Sequence, residues 1–256
     1  MRVWAKVIKT DITTFSSINI AHAVFGFRQM GAEIVEYENL DQIYDRVTKD
    51  DLVLDYVFQS QEIFHKFGVT PELPDYLPVL EPYLGRKIWK DTINHISADR
   101  STWGHFVKPV MGKAFTGKVI NGTADLIGTG SDDENLTVYC SDVINIKREW
   151  RGFYYHDQLI DVRPYHGDWH YHYDPAVLDA VVAAFNTWDE RPVACSLDFA
   201  LVERDDGHLE TIFLEANDAY SLGNYGLFPL RYAKMISARW AQLLGREDEY
   251  YFGEIR

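Results

Sequence analysis

Cysteine is nearly absent: Cys140 and Cys195 are the only two in 256 residues, so the fold has no disulfide framework. Cys195 lies in the apolar run ACSLDFALVER and reads as a small buried hydrophobe. Positive charge is also scarce, with 25 Lys and Arg against 39 Asp and Glu and a formal net charge of −14. Binding a phosphate backbone needs clustered cations, so no nucleic-acid partner is expected. No stretch approaches the ~20 apolar residues of a membrane span. The start, MRVWAKVIKT, has no extended apolar core of the signal-peptide kind. No membrane partner and a cytoplasmic location are therefore expected. Neither GxxxxGK[ST] nor GxGxxG occurs, which excludes P-loop and Rossmann nucleotide sites. Internal repeats and low-complexity tracts are missing too.

What is present is an ordinary folding composition, 46% hydrophobic and 14% aromatic, with length for one large domain or two small ones. The first hundred residues alternate between element types. Strands are expected at Val3–Ile8, Ile34–Tyr37 and Leu52–Val57. Helices are expected from a cap at Ser16 or Ser17 to Gly31, at Asp41–Val47, and near Gln61–Phe67, stopping at Gly68. That order implies a small parallel sheet. Pro71, Pro74, Pro78 and Pro82 then break the chain into turns and short helical pieces, a credible link between domains.

From about His105 the pattern becomes strand-rich: HFVKPV, KAFTGKVI, NLTVYC, then a long REWRGFYY–HDQ–LIDVRPY hairpin. Asp174-Pro175 is a cap-and-first-turn pair opening a helix with Val177, Leu178, Val181, Val182, Phe185 and Trp188 on one face. A closing helix is expected over Pro229–Leu244, ending at Gly245.

The chemistry concentrates on a second hairpin, ACSLDFALVER–HLETIFLEAND, joined at Asp205-Asp206-Gly207. An Asp-Gly turn of two residues needs positive φ at both. That register sets Asp205 against His208, Asp198 across from Glu215, and Ser196 across from Asn217. Facing like charges destabilise a pair, so removing one would stabilise the chain without a cation. Two carboxylates and an amide oxygen suit Mg2+; a solvated acidic face is the alternative. Lys108, in HFVKPV, precedes a loop with Gly112 and Gly117 that could cradle phosphate, or it is a solvated strand lysine. Glu149 and Arg151, two apart on a strand, share a face. They form a surface ion pair, or bind a ribose hydroxyl and a phosphate or acyl phosphate respectively. In YHGDWHYHYDP, His170 and His172 with His166 or Asp168 could chelate Zn2+, against aromatic packing or a substrate-side loop.

Taken in order, these features resemble an ATP-grasp enzyme: Lys108-Pro109 with its loop, the segment YCSDVIN, Glu149 seven residues after Asp142, Asp198 in a strand, and LEAN at 214–217. The segment LEANDAYSLGNYGLFPL is similar to the end of D-alanine–D-alanine ligase-like sequences. The REWR element resembles a little-characterised bacterial and phage branch marked by two arginines and a lysine. The resemblance implies an α/β (α+β) chain. A small parallel α/β pre-ATP-grasp domain at 1–98 would precede an ATP-grasp domain at 99–256, its small lobe about 99–142 and its large lobe about 143–256.

The resemblance also implies roles. Lys108 would bind the α- and β-phosphates under a loop that includes Met111, Gly112 and Lys113. Asp142, Val143 and Asn145 would form the adenine hinge, and Glu149 would take the ribose. Asp198, Glu215 and Asn217 would hold two Mg2+ ions, with Mn2+ as a substitute. D-alanine ligases carry an arginine two residues before the metal aspartate, where this chain has Ser196; Arg151 or Arg163 would supply that charge. The expected activity is ATP-dependent joining of a small-molecule or peptide carboxylate to an amine through an acyl phosphate, releasing ADP and phosphate. A small-molecule kinase and a nucleotide-binding module without turnover are the alternatives.

Overall fold

The computed structural model describes residues 1–10, 12–110, 114–130 and 135–251. Val3, Trp4 and Ala5 are buried in succession, the mark of a strand covered on both faces. They lie in β1 (Arg2–Lys9), the strand against which the first sheet is built. β3 (Glu33–Tyr37) and β4 (Leu52–Leu54) pair with it in parallel, Val3 meeting Ile34 on one side and Leu52 on the other. The short β2 (Thr13–Phe15) pairs antiparallel. Parallel neighbours need a crossover, and α1 (Ile18–Gln29) supplies the one from β1 to β3. The Ser17 hydroxyl caps it by accepting the Ile20 N–H. α2 (Val57–Lys66) follows β4.

The chain divides into two compact units. The first comprises Met1–Tyr83, Arg148–Leu201 and Thr211–Arg256. Besides the parallel sheet it takes in most of a second sheet, in the order β10-β9-β11-β12. These strands are β9 (Asn145–Tyr155), β10 (Gln158–Gly167), β11 (Ala194–Glu203) and β12 (Leu209–Asp218). It also holds α4 (Pro175–Phe185), capped by Asp174, and α5 (Pro229–Leu244), ended by Gly245 at φ 65°. One apolar core runs from Val3 and Trp4 through Phe64 to Trp240. The Phe64 ring lies 4.3 Å from Trp240 and 5.3 Å from Tyr220, and a fully buried side chain of this size contributes about 1.5–3 kcal/mol.

The second unit, Leu84–Lys147 with Val202–Glu210, is built on an antiparallel sheet in the order β5-β8-β6-β7. Its strands are β5 (Ile88–Thr92), β6 (His105–Pro109), β7 (Lys118–Ile120) and β8 (Thr137–Ser141). α3 (Ile93–Ala98) follows β5 directly, capped by Thr92. Ile93, Ile96, Val107, Ile120, Val138 and Cys140 form the core. The architecture is mixed α/β, as the sequence leads one to expect. Among the described residues, no helix is long and apolar enough to cross a membrane.

Several elements differ locally from expectation. β4 stops at Leu54, and Val57 already belongs to α2. The Asp41–Val47 helix shrinks to a 3-10 turn at Leu40–Gln42. β5 and the chain leading to it lie within a stretch read as turns and short helices. Its lone Lys90-Asp91 pair obscures the alternation, and pairing with β8, Trp89 opposite Cys140, decides the matter. Of KAFTGKVI only Lys118–Ile120 is strand among the described residues.

α1 and α5 pack closely because Gly26 has no side chain. A Cβ there would fall 2.2 Å from the Pro229 carbonyl oxygen and 2.7 Å from the Ala233 Cβ. Alanine gains helix propensity, yet the obstruction is backbone and cannot swing aside. We expect Gly26→Ala to lose about 1–3 kcal/mol by overpacking, read by equilibrium urea unfolding. Wild-type stability in that variant would contradict the close helix contact.

Candidate active site

β9 and β10 are joined by His156 and Asp157, which take φ of 43° and 67° and pair Tyr155 with Gln158. Two positive φ values in a two-residue loop are the type I′ geometry. The same geometry was expected at Asp206-Gly207, and there it fails. Gly207 alone has positive φ, 81°, while its N–H bonds the Arg204 carbonyl and the Arg204 N–H bonds that of His208. The loop is therefore Asp205, Asp206 and Gly207, a type I turn followed by a glycine bulge, and Arg204 rather than Asp205 faces His208. Glycine takes the one left-handed position, so neither aspartate needs it. Continued without interruption, this pairing would set Asp198 against Leu214. The three polar side chains nonetheless meet: Asn217 Nδ2 donates to Asp198 Oδ2 at 3.2 Å and to Glu215 Oε1 at 3.3 Å.

A cation already sits among them, and it belongs to the chain. Arg151, on β9, donates from Nε to Asp198 Oδ1 at 2.9 Å and from Nη2 to Oδ2 at 2.7 Å. The pair is deeply buried, Arg151 6% and Asp198 1% exposed. Arg151 Nη1 also donates to the Gly223 carbonyl at 3.3 Å. Burial, reinforced by Glu215, raises the Asp198 pKa, and the guanidinium opposes that rise. The expectation that removing Asp198 relieves repulsion is overturned: its loss would strand Arg151 uncompensated.

Aromatic rings close over this pair. The guanidinium carbon lies 4.8 Å from the Tyr225 ring centre and 6.0 Å from that of Tyr165, and these two rings stack at 4.9 Å. Tyr165 sits at a register shift between Pro164 and His166, which lets its hydroxyl reach Glu149 Oε2 at 2.8 Å. His166 Nδ1 lies 3.1 Å from the other Glu149 oxygen. Burial first, then the Asp198 and Glu149 carboxylates, push the Tyr165 phenol far above its ordinary pKa, so it stays a hydrogen-bond donor. Sequence reasoning missed Tyr165 and Tyr225; their signal is the aromatic following RP and the NYG turn.

The remaining expected residues are distributed as follows. Arg163 lies directly opposite Arg151 and is paired with Asp161 at 2.7 Å, which offsets the like charges across the ladder. In the second unit, Lys108 on β6 faces Tyr139 on β8. Gly117 is a packing glycine with ordinary φ: a Cβ would meet the Phe106 ring at 2.4 Å and the Lys108 Cβ at 3.1 Å. The Asp142 carboxylate accepts the Lys87 N–H at 3.0 Å, and the Asn145 amide donates to Glu203 at 2.9 Å, while Val143 is exposed. Met111, Gly112 and Lys113 lie outside the described residues. No group of three or more His, Cys, Asp or Glu is placed to hold a metal among the described residues, so the His166–His172 Zn2+ set does not form. His170 instead pairs with Asp168 and stacks on Trp169. Cys195 is fully buried and its thiol pKa is pushed up by burial, which removes it as a nucleophile.

The chain belongs to the ATP-grasp domain family, R2K clade family 2, whose model matches residues 83–235. No curated protein matches the sequence. Among solved structures, D-alanine–D-alanine ligase from Bacillus anthracis is similar at 13% identity and TM-score 0.52, over 96% of this chain and 99% of that one. A RimK domain ATP-grasp protein from Sphaerobacter thermophilus DSM 20745 is 14% identical, TM-score 0.54, over 92% and 98%. L-amino acid ligase from Bacillus licheniformis is 11% identical, TM-score 0.55, over 100% and 78%. These likenesses establish the ATP-grasp fold.

The buried pair makes an asymmetric prediction, because a carboxylate can take up a proton whereas a guanidinium cannot shed one. Asp198→Asn leaves an unpaired buried charge and should cost about 3–5 kcal/mol. In Arg151→Met, Asp198 keeps a folded-state pKa above its ordinary 3.8, raised further because the guanidinium no longer opposes the rise. A raised folded pKa means stability is fullest below the ordinary value and is lost as pH rises through the folded one. The stability deficit of Arg151→Met against wild type should therefore grow as pH rises above the ordinary carboxylate range, measured by urea unfolding. A deficit independent of pH would contradict this reading.

Proposed function

We propose that the protein is an Mg2+/ATP-dependent carboxylate–amine ligase. The observation that carries this reading is the convergence of Asp198, Glu215 and Asn217 around Arg151 inside the residues the family model matches. Carboxylate and amide oxygens are the hard donors Mg2+ takes, with substrate phosphates completing its shell. A carboxylate offers about four lone-pair sites, so the bidentate Arg151 contact leaves room on Asp198. A half-turn of the Asn217 amide would bring Oδ1 to where Nδ2 stands. When bound, Mg2+ would offset phosphate charge as the γ-phosphoryl group moves.

In the proposed reaction the substrate carboxylate attacks the γ-phosphorus of ATP, ADP leaves, and an acyl phosphate forms. An amine then attacks the acyl carbon, the phosphate departs with the C–O bonding pair, and the amine nitrogen loses a proton. Arg151 and Arg163 are assigned to the anionic reacting group, whose charge a guanidinium fork matches in shape. Lys108, with the segment Met111, Gly112 and Lys113, is assigned to the ATP phosphates, Asp142, Val143 and Asn145 to the adenine, and Glu149 to the ribose. The domain division at 1–98 and 99–256 belongs to the same proposal.

ADP release should be screened over pooled amino acids, small peptides and other carboxylates with amines. We expect free phosphate that appears only when both an acid and an amine are present. Phosphate retained on the product would make the protein a kinase instead. No nucleotide turnover with any pool would support a binding module. Lys108→Met keeps much of the apolar stem and deletes the charge, so ATP affinity and rate should each fall at least about tenfold, about 1.4 kcal/mol. Unchanged binding and turnover would remove Lys108 from the mechanism.

A further inference from the structure

The segment between β12 and α5, residues 219–228, touches Arg151 twice: through the Gly223 carbonyl and through the Tyr225 ring. Tyr225 holds φ 40°, a left-handed conformation an aromatic residue takes only when its surroundings impose it. Asn224, between the two contact residues, is 5% exposed. Its side-chain oxygen accepts the Gly226 N–H at 2.8 Å, and its carbonyl accepts the Leu227 N–H at 2.7 Å, a local turn. Its backbone N–H and its side-chain amide both donate to one atom, Oδ1 of Asn19, at 3.1 and 2.8 Å. A backbone N–H can only donate, so the atom of Asn19 facing it must be the oxygen.

Asn19 lies in the first turn of α1, far from this segment in sequence. Other groups of the N-terminal region fasten the same segment. His22 Nε2 lies 3.0 Å from the Leu227 carbonyl oxygen, Ser221 Oγ donates to the Asp55 carbonyl at 3.1 Å, and Gln61 Nε2 donates to Tyr220 at 2.9 Å. Of these four contacts, the one made by Asn19 falls between Gly223 and Tyr225.

We propose that Asn19 is a positioning residue: by holding Asn224 it fixes the Gly223 carbonyl and the Tyr225 ring, and thereby sets the Arg151 guanidinium for the anionic substrate. The consequence for substrate rests on the ligase reading above; the control of Arg151 by Asn19 does not. An acceptor is what position 19 must supply. Asp retains it and is favoured in the first turn of a helix, whereas Leu keeps the size and deletes it.

The test compares Asn19→Leu and Asn19→Asp in the full chain by NMR, reading amide hydrogen exchange in the loop and the Arg151 Nε–H resonance. In Asn19→Leu, exchange at the Asn224 amide should rise at least about tenfold, a factor worth 1.4 kcal/mol of local opening, and the Arg151 resonance should shift. Asn19→Asp should restore both. If Asn19→Leu fails to fold, Asn19→Ser, too short to reach Asn224, takes its place. A faster Asn224 amide with an unmoved Arg151 resonance would overturn the proposal, as would failure of Asp to rescue. Should a substrate pair emerge from the ADP screen, Asn19→Leu should raise KM for the acid at least about tenfold while ATP affinity holds. A uniform loss of kcat, ATP affinity and stability would mark Asn19 as merely structural. Because the NMR readouts need no substrate, failure of the ligase reading leaves this test standing.

Discussion

The Arg151–Asp198 ion pair is the constraint that the rest of the site has to satisfy. Removing two charges from water costs several kcal/mol per ion, and only near-ideal geometry with further hydrogen bonds recovers it. Here both carboxylate oxygens meet the fork, Asn217 adds a donor, and the Gly223 carbonyl takes a third guanidinium nitrogen. Tyr165 and Tyr225 present ring faces that attract the cation. A misplaced strand or loop would expose one of these groups without a partner, so β9, β11, β12 and the segment after β12 are fixed against one another by a single charge pair.

That pair also explains why acidic residues can cluster on this face. Asp198 and Glu215 would repel in isolation, and burial would drive one of them neutral. Arg151 keeps Asp198 held in bidentate form. Glu149, a further carboxylate on the same strand face as Arg151, accepts the Tyr165 hydroxyl. The face therefore gathers carboxylate oxygens and a guanidinium side by side, the combination on which the proposed ligase reading rests.

Much of the fold was legible because its signals are local. Ser17 capping α1, Asp174-Pro175 opening α4, and Pro229 and Gly245 bounding α5 each act within one helical turn. The two hairpins were also legible as hairpins, but their turns were exchanged. The type I′ loop falls on His156-Asp157, which lacks glycine, and the Asp-Gly sequence adopts a three-residue loop. Strand pairing decides between such loops, and pairing is not a local property. β5 stayed hidden for the same reason, since its evidence is the ladder to β8.

The site was half legible. Asp198, Glu215 and Asn217 were grouped through a turn register the chain does not keep, and were read as metal ligands; the guanidinium that meets Asp198 stands 47 residues away in sequence and on another strand. Arg151 was read as a surface ion pair with Glu149 or as a ligand for a phosphate or acyl phosphate, because nothing in a one-dimensional pattern ties it to Asp198. Asn19 was invisible, as its importance comes from a residue 205 positions further on. The direct test of the charge pair as the central constraint is a double-mutant cycle on Arg151→Met and Asp198→Leu, followed by urea unfolding at neutral pH. The account predicts that the double variant, with no stranded charge, is more stable than Asp198→Leu alone, with a coupling of about 3 kcal/mol at the upper end of contact pairs. Two losses that simply add would show that the residues act independently and would contradict it.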